Sequence, residues 1–384
     1  MKKLIRITTV PVSLEKLLNG QWEFFKKHYN ITAVSADVQE LKKFSEFSGI
    51  TTFGVPLTRK ITFFSDLKAL WKLYFFFRKE KPLIVHTQTP KAGLIGMLAA
   101  FFAGVPIRLH DVVGLPLMGK TGFKYYLLFC VEKIVYACAH RIYPNSFGLK
   151  KYIIETKISS GKKMKVLANG SSNGVDVSHF SKKHFSVETN IELKGQLNIN
   201  STDFVYLFIG RLVGDKGINE LITAFTLLGE KEDKIKLLLV GNYEEDLDPL
   251  QKETIQIIKK NLNIISVGYQ EEVRPYLAIA SCFVFPSYRE GFPNVVLEAT
   301  SMELPCIVSD INGSNEIITD QVNGIIIPKK NTESLKKAMF DVKNDINLRK
   351  LLIKNSRKGI AKKFGKEIIY ESLLNEYKEL EDDL

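Results

Sequence analysis

The sequence predicts an α/β protein built from two doubly wound, parallel-sheet domains. Three observations predict it. Short apolar runs alternate with longer helical patterns along the 384-residue chain. Several runs are apolar on both faces, as strands covered by helices on both sides must be. A polar stretch of weak periodicity, "SKKHFSVETNIELKGQLNINSTD" (181–203), separates the runs into two series. Strands alternating with helical segments imply repeated βαβ units.

The first series reads "KLIRITTV" (3–10), "ITAVSA" (31–36), "PLIVHTQT" (82–89), "PIRLHDVV" (106–113), "RIYPNS" (141–146) and "KVLANG" (165–170). The second reads "DFVYLFIGRL" (203–212), "IKLLLVGN" (235–242), "IISVGY" (264–269), "SCFVFPS" (281–287), "PCIVSD" (305–310) and "NGIIIP" (323–328). The expected domains are 1–180 and 181–364. The charged helical segment at 365–384 has no strand after it, so its packing is left open, a return to the first domain being one of its options.

The composition is that of a globular chain, 45% apolar and 25% charged. A net charge of +12 favours polyanionic partners: nucleic acid, an anionic membrane surface or phosphorylated substrates. Cys130, Cys138, Cys282 and Cys306 form no CxxC pair and lie in apolar contexts. They read as structural thiols of a reducing compartment rather than disulfides or metal ligands. No stretch reaches the roughly 18–20 uncharged residues of a membrane-spanning helix. Arg6 interrupts the apolar run of "MKKLIRITTVPVS", which reads as a first strand and not a secretion signal. A cytoplasmic protein is expected.

The candidate chemistry centres on "SYREGFPNVVLEAT" (287–300). Ligands of open parallel sheets bind beyond the carboxyl ends of the strands, and Glu290 falls just past one. Pro293 suits the first turn of a helix, whose free amides and partial positive charge would hold a diphosphate. Gly291 lets the backbone approach a ligand. Glu298, one to two turns in, suits vicinal hydroxyls such as those of a ribose. In "FIGRLVGDKG" (208–217), Gly210, Arg211, Lys216 and Gly217 follow the first strand of the second domain. Arginine grips phosphate with two donors and lysine adds a point charge. An anion-receiving and a hydroxyl-receiving cluster in one half-chain together suit a nucleotide-diphosphate-sugar. Solvated glutamates and surface cations are the bland alternative.

These residues resemble a known family. Glu290, seven residues, then Glu298 is similar to the E-x7-E motif of retaining glycosyltransferases of family 4, which have the GT-B fold: two Rossmann-like domains facing a central cleft. "GRLVGDKG" resembles that family's phosphate-gripping segment, "NGSSNGVDVSHF" (169–180) its Asn-Gly-x-Asp segment, and "HTQTPKAGLIGMLAAFFAGVPIRLH" (86–110) the first domain of its bacterial surface-polysaccharide members.

The resemblance implies roles. Arg211 and Lys216 would neutralise the donor diphosphate, Glu298 would bind the ribose, and Glu290 would hold donor-sugar hydroxyls. Amides around Phe292, Pro293, Asn294 and Val295 would meet the diphosphate or sugar. Gly268 and Tyr269 would cradle the base, and Gly20 would line the acceptor side. Relatives carry a histidine before a first-domain glycine, where this chain has Val113 before Gly114 in "HDVVGLP". His110 is a candidate substitute, with a buried structural histidine as the alternative, because strand alternation puts it on the face opposite Val113.

The implied reaction is a retaining transfer of a hexosyl or N-acetylhexosaminyl group from a UDP-sugar. Its acceptor would be a growing capsule-like or O-antigen-like glycan or its polyprenyl-diphosphate-linked precursor. The implied chemistry needs no metal or other cofactor, since cations and helix-end amides stabilise the leaving diphosphate. Asp246 and Asp248 form a D-x-D pair that reads as a solvated acidic loop. "DLKALWKLYFFFRKEKP" (66–82) and "GKTGFKYYLLFCVEKIVYACAHR" (119–141) mix aromatic and basic residues, as suits peripheral contact with an anionic membrane. Two rivals stay open: a GT-B nucleotide-sugar epimerase or hydrolase, and a basic nucleic-acid-binding protein. The second lacks any zinc, RNP-like or basic-zipper signature, so no nucleic-acid partner is expected.

Overall fold

The structure, a computed structural model, describes residues 1–58, 62–244 and 248–384. The chain divides into two compact units. One comprises Met1–Asn173 together with Lys366–Leu384, the other Gly174–Gly365.

The N-terminal unit holds β1 (Lys3–Ile7), β2 (Asn30–Ala36), β3 (Thr51–Val55), β4 (Ile84–Gln88), β5 (Ile107–Val112) and β6 (Arg141–Pro144). They form one parallel sheet in the order β3-β2-β1-β4-β5-β6. The C-terminal unit holds β7 (Phe204–Ile209), β8 (Ile235–Val240), β9 (Ile264–Ser266), β10 (Cys282–Phe285), β11 (Cys306–Ser309) and β12 (Gly324–Ile327). Their order is β12-β11-β10-β7-β8-β9, again all parallel. Both are doubly wound sheets, and the strand order reverses at β1/β4 and at β7/β10. Loops leaving the carboxyl ends there border the crevice in which such sheets bind ligands.

Alternation along β1 sends Leu4 and Ile5 to opposite faces. Ile5, Ile7 and Val85 pack under three helices, Phe63–Glu80, Pro90–Phe102 and Gly122–Cys138. Leu4, Ile84, Ile107 and Leu109 pack on the other face with Trp22, Phe25 and Phe44. The Lys366–Asp382 helix also covers that second face. Its Ile369, Tyr370, Leu373, Leu374, Tyr377 and Leu380 recur at three- and four-residue intervals and are buried. Each buried leucine contributes about 1.5–3 kcal/mol, which is why a charged helix with no strand after it docks on this sheet.

A buried polar ring adds specificity to that docking. Arg6 of β1 donates to the Tyr377 hydroxyl at 3.2 Å, and Tyr377 lies 2.6 Å from His86 Nδ1 of β4. His86 Nε2 lies 2.9 Å from Asp111 Oδ1 of β5, and Asp111 Oδ2 lies 3.6 Å from Arg6. Because Tyr377 accepts from Arg6, its proton goes to Nδ1, leaving the imidazole proton on Nε2 toward Asp111.

Two strand expectations fail. "TTFGV" is an edge strand, β3, with half-exposed threonines and a glycine, so it has no apolar signature. Residues 165–170 are not a strand. Ala168, Gly170 and Ser171 all have positive φ, and two isolated bridges, Ile142 to Met164 and Ala168 to Gly170, replace a ladder. All four thiols are free; three are buried, but Cys130 is exposed on the outward side of its helix, contrary to the apolar setting expected for it. Burial pushes the Cys306 thiol up to about 12, which keeps it inert. Among the described residues, no helix is long and apolar enough to cross a membrane.

Candidate functional site

The loops after β7, β8, β9, β10 and β11 meet at the carboxyl edge of the C-terminal sheet. Gly210 leaves β7 at φ +151. A Cβ on Gly241, at the exit of β8, would lie 1.8 Å from the Gly210 carbonyl oxygen, so only glycine allows the two exits to pass this closely. Gly241 donates to the Gly268 carbonyl at 2.8 Å, and Asn242 Oδ1 accepts from the Tyr269 amide at 3.0 Å. The β9 exit is thereby tied to the β8 exit, with Tyr269 exposed beside it.

The β7 loop then divides its two cations. Arg211 turns toward β8 and pairs with Glu244 at 2.6 Å, half-exposed. Lys216 turns toward β10 and pairs with Glu290. Gly217, at φ +72, ends the short 3₁₀ turn Gly214–Lys216, and a Cβ there would lie 2.2 Å from the Pro286 carbonyl oxygen. The close approach that requires this glycine lays the two loops side by side. Tyr288 donates its amide to Asp215 O at 2.8 Å, and Arg289 pairs with the Asp215 carboxylate at 2.7 Å.

Lys216 and Glu290 are 14% and 16% exposed, enclosed but open to a ligand. Ser287 Oγ donates to the same Glu290 oxygen at 2.8 Å, and the Phe285 ring lies 5.4 Å beneath the Lys216 ammonium. The ammonium is therefore held by a carboxylate on one side and an aromatic face on the other. Past Glu290, Gly291, Phe292 and Pro293 lead into the Asn294–Ser301 helix, with Pro293 as its N-cap. Proline has no N–H to leave unpaired there, and its carbonyl accepts from Val296 at 3.0 Å. Glu298 lies one turn into this helix, partly exposed.

Asn312 and Gly313, which follow β11, are site residues that the sequence reading did not single out. Asn312 donates through Nδ2 to the carbonyls of Glu290 and Gly291, the second at 3.2 Å. Gly313, at φ +78, comes so near that a Cβ would lie 2.6 Å from the Gly291 carbonyl oxygen. Asn-Gly after an apolar strand was a legible turn signal. Its partner, 21 residues upstream, was not.

Asp248 accepts the Asp215 amide at 2.6 Å, so its carboxylate shapes the cation loop. Asp246, the other half of the D-x-D pair, lies outside the described residues.

The remaining candidates belong to the N-terminal unit. Gly20, at φ +79, sits against Tyr370, whose hydroxyl donates to the Asn19 carbonyl at 2.6 Å. His110 is 3% exposed, lies 2.8 Å from Thr87 Oγ1, and packs where a Cβ on Gly93 would meet its ring at 2.5 Å. Burial lowers its pKa to about 4. The imidazole is buried beneath the Pro90–Phe102 helix, and burial favours its neutral form.

Comparisons with known proteins speak to family and fold. Residues 189–359 match the sequence family described as glycosyl transferases group 1, and residues 32–170 match a glycosyl transferase 4-like domain. The chain is 35% identical over 378 residues to the capsular polysaccharide biosynthesis glycosyltransferase CapM of Staphylococcus aureus, covering 98% of this chain and 97% of that one. It is 30% identical over 340 residues to the UDP-Gal:alpha-D-GlcNAc-diphosphoundecaprenol alpha-1,3-galactosyltransferase of Escherichia coli, covering 82% and 80%. Among solved structures, Anabaena HepE in complex with UDP superposes with a TM-score of 0.81 at 18% identity, covering 99% of this chain and 100% of that one. The sucrose-phosphate synthase of Thermosynechococcus elongatus does so with 0.83 at 19%, covering both chains fully. The chain therefore belongs to the glycosyl transferases group 1 family and is a glycosyltransferase of GT-B fold.

Proposed function

We propose that this enzyme transfers a sugar from a UDP-sugar, with retention at the anomeric carbon, to a surface glycan or its polyprenyl-diphosphate-linked precursor at the cytoplasmic face of a membrane. The observation that carries the reading is the Lys216–Glu290–Ser287 cluster at the head of the Asn294–Ser301 helix. The names of the relatives support the substrate class. One acts in capsule synthesis, and another takes UDP-Gal and a lipid diphosphate acceptor.

In this reading the incoming diphosphate takes over Lys216 from Glu290, with Arg211 beside it. Glu290, released, turns its carboxylate to hydroxyls of the donor sugar. The first-turn amides of the Asn294–Ser301 helix face the phosphates, Glu298 takes the ribose, and Gly268 and Tyr269 flank the base. Charge building on the leaving diphosphate meets fixed cations and amides, the preorganised stabilisation that lowers such barriers. The acceptor attacks from the leaving-group face, and the departing phosphate takes its proton. Glu290 need not act as a nucleophile, no metal is required, and Gly20 lies on the acceptor side.

A thermal-shift screen of UDP, GDP and their sugars tests the donor assignment. Stabilisation by UDP and one UDP-sugar is expected, and none by either UDP or GDP would reject it. Nucleotide release that needs an acceptor separates transfer from epimerisation or hydrolysis, and anomeric NMR of the product reads retention. Turnover is expected to persist in EDTA.

Glu298→Ala is expected to weaken UDP binding about tenfold by calorimetry, the loss of one or two hydrogen bonds to a charged acceptor. Asn312→Ala releases two carbonyls of the glycine loop without touching ligand. It is expected to raise KM for the donor several-fold. Asn312→Asp should be worse, since a carboxylate repels the carbonyls it would have to replace as donor.

A further inference from the structure

We propose that Asp248, in the loop after β8, is a positioning residue for the transfer: it holds the turn that carries Lys216. The inference rests on the phosphate role proposed above for Lys216 and names the group that fixes its place.

Asp248 belongs to the D-x-D pair, for which a solvated acidic loop is expected from the sequence. The structure gives it two bonds to the cation loop. Its carboxylate Oδ2 accepts the Asp215 amide at 2.6 Å, and its carbonyl accepts the Gly214 amide at 3.2 Å. One residue thus takes two successive amides of the Gly214–Lys216 turn. Gly214 lies against the carboxylate: a Cβ there would stand 3.0 Å from Asp248 Oδ1. Asp248 is itself anchored. Leu250, two positions on, is buried in the core of the C-terminal unit, and the Gln251 amide donates to Asn219 Oδ1 at 3.2 Å.

The other amides of the turn are also taken. Lys216 donates to the Val213 carbonyl at 3.3 Å, and Gly217 to the Gly214 carbonyl at 2.9 Å. A glycine-rich loop that cradles phosphate does so with backbone N–H groups aimed at the ligand. This turn has committed its amides to the protein, so what it offers a phosphate is the Lys216 side chain. Lysine is a point charge on a flexible stem, and its placement depends on the backbone that carries it.

Asp215 passes that placement to the other side of the site. Its amide faces Asp248, its carbonyl accepts the Tyr288 amide at 2.8 Å, and its carboxylate pairs with Arg289 at 2.7 Å. Tyr288 and Arg289 directly precede Glu290, the partner of Lys216. The loops after β7, β8 and β10 therefore meet at one residue, next to Lys216. Removing the Asp248 acceptor frees one side of that residue. A displacement of about 1 Å at a group that must meet the reacting atoms costs up to about a hundredfold in rate.

Steady-state kinetics of the full chain, with the donor found by thermal shift, test this. Asp248→Ala is expected to lower kcat about tenfold to a hundredfold, with a smaller change in KM for the donor. Asp248→Asn keeps an oxygen that can accept the Asp215 amide, and should recover most of the rate. Adding Asp248→Ala to Lys216→Ala should cost nothing further, because Asp248 acts through Lys216. Gly214→Ala, which presses on the carboxylate without removing it, repeats the test with a several-fold loss should Asp248→Ala misfold. Losses that multiply in the double variant overturn the proposal and make the aspartate a general support of the fold. So does turnover that falls in EDTA and returns with Mn²⁺, which would give the carboxylate to a metal. Wild-type kcat in Asp248→Ala beside a slow Lys216→Ala overturns the proposal and leaves the role of Lys216 standing. Wild-type kcat in Lys216→Ala rejects that role, and this proposal with it.

Discussion

The Lys216→Ala enzyme is expected to lose about a hundred- to a thousandfold in turnover, the usual effect of removing one preorganised group from a developing anion. Two features of the site make this the largest single loss. The ammonium is enclosed, so its interaction with a phosphate is poorly screened. It is also the partner of Glu290, and its removal leaves an uncompensated carboxylate where the proposed reading puts the diphosphate. Arg211→Ala acts in the same direction from a more open position beside Glu244. Lys216→Arg keeps the charge but not the compact ammonium fitted over Phe285, and should recover only part of the rate. Steady-state kinetics with the sugar donor found by thermal shift decide the point. Wild-type kcat in Lys216→Ala would remove this residue from the mechanism.

Asp111→Ala is expected to cost the N-terminal unit about 3–5 kcal/mol, because it leaves the Arg6 guanidinium buried without a counter-charge. Asp111→Asn, which keeps a hydrogen-bonding group beside His86, should cost less. Trp22 and Trp71 are the only tryptophans, and both lie in this unit. The midpoint of their fluorescence change in urea therefore reads this unit, and an unchanged midpoint in Asp111→Ala would show the ring to be inert.

The ring and its surroundings also set a pH dependence. Burial lowers the pKa of His86, opposed by Asp111, and lowers that of His110 to about 4. Both sit below the ordinary value near 6.5, so their stabilisation is complete above 6.5 and is lost as pH falls, up to about 1.4 kcal/mol per pH unit for each. Glu132 works the other way. Burial raises its pKa to about 7, so between pH 4.5 and 7 the folded state holds a proton that the unfolded chain lacks. Two histidines outweigh one glutamate, and the urea midpoint is expected to fall from pH 7 to pH 5. Glu132→Gln removes the opposing group and should steepen that fall.

The fold was legible wherever burial on two faces imposed an apolar run, as it did for the inner strands β7, β8, β10 and β11 of the C-terminal sheet. It was illegible at β3, an edge strand whose threonines and glycine answer to solvent on one side. At 165–170 the apolar run was overruled by residues at positive φ, which periodicity does not register. Gly210, Arg211, Lys216, Glu290 and Glu298 were legible as charge and glycine at strand ends. The pairing of Lys216 with Glu290, 74 residues apart, was not.

By itself, then, the sequence determined that the chain winds two parallel sheets and which residue types stand where their strands end, because apolar period and turn chemistry are local properties. Only the tertiary structure decided that Lys216 pairs with Glu290 while Arg211 pairs with Glu244, that Asn312 holds the glycine loop, and that His110 is sealed under Gly93. It also decided which aromatics of the Phe63–Glu80 helix face outward. These depend on which strands become neighbours, and packing across the whole sheet selects that.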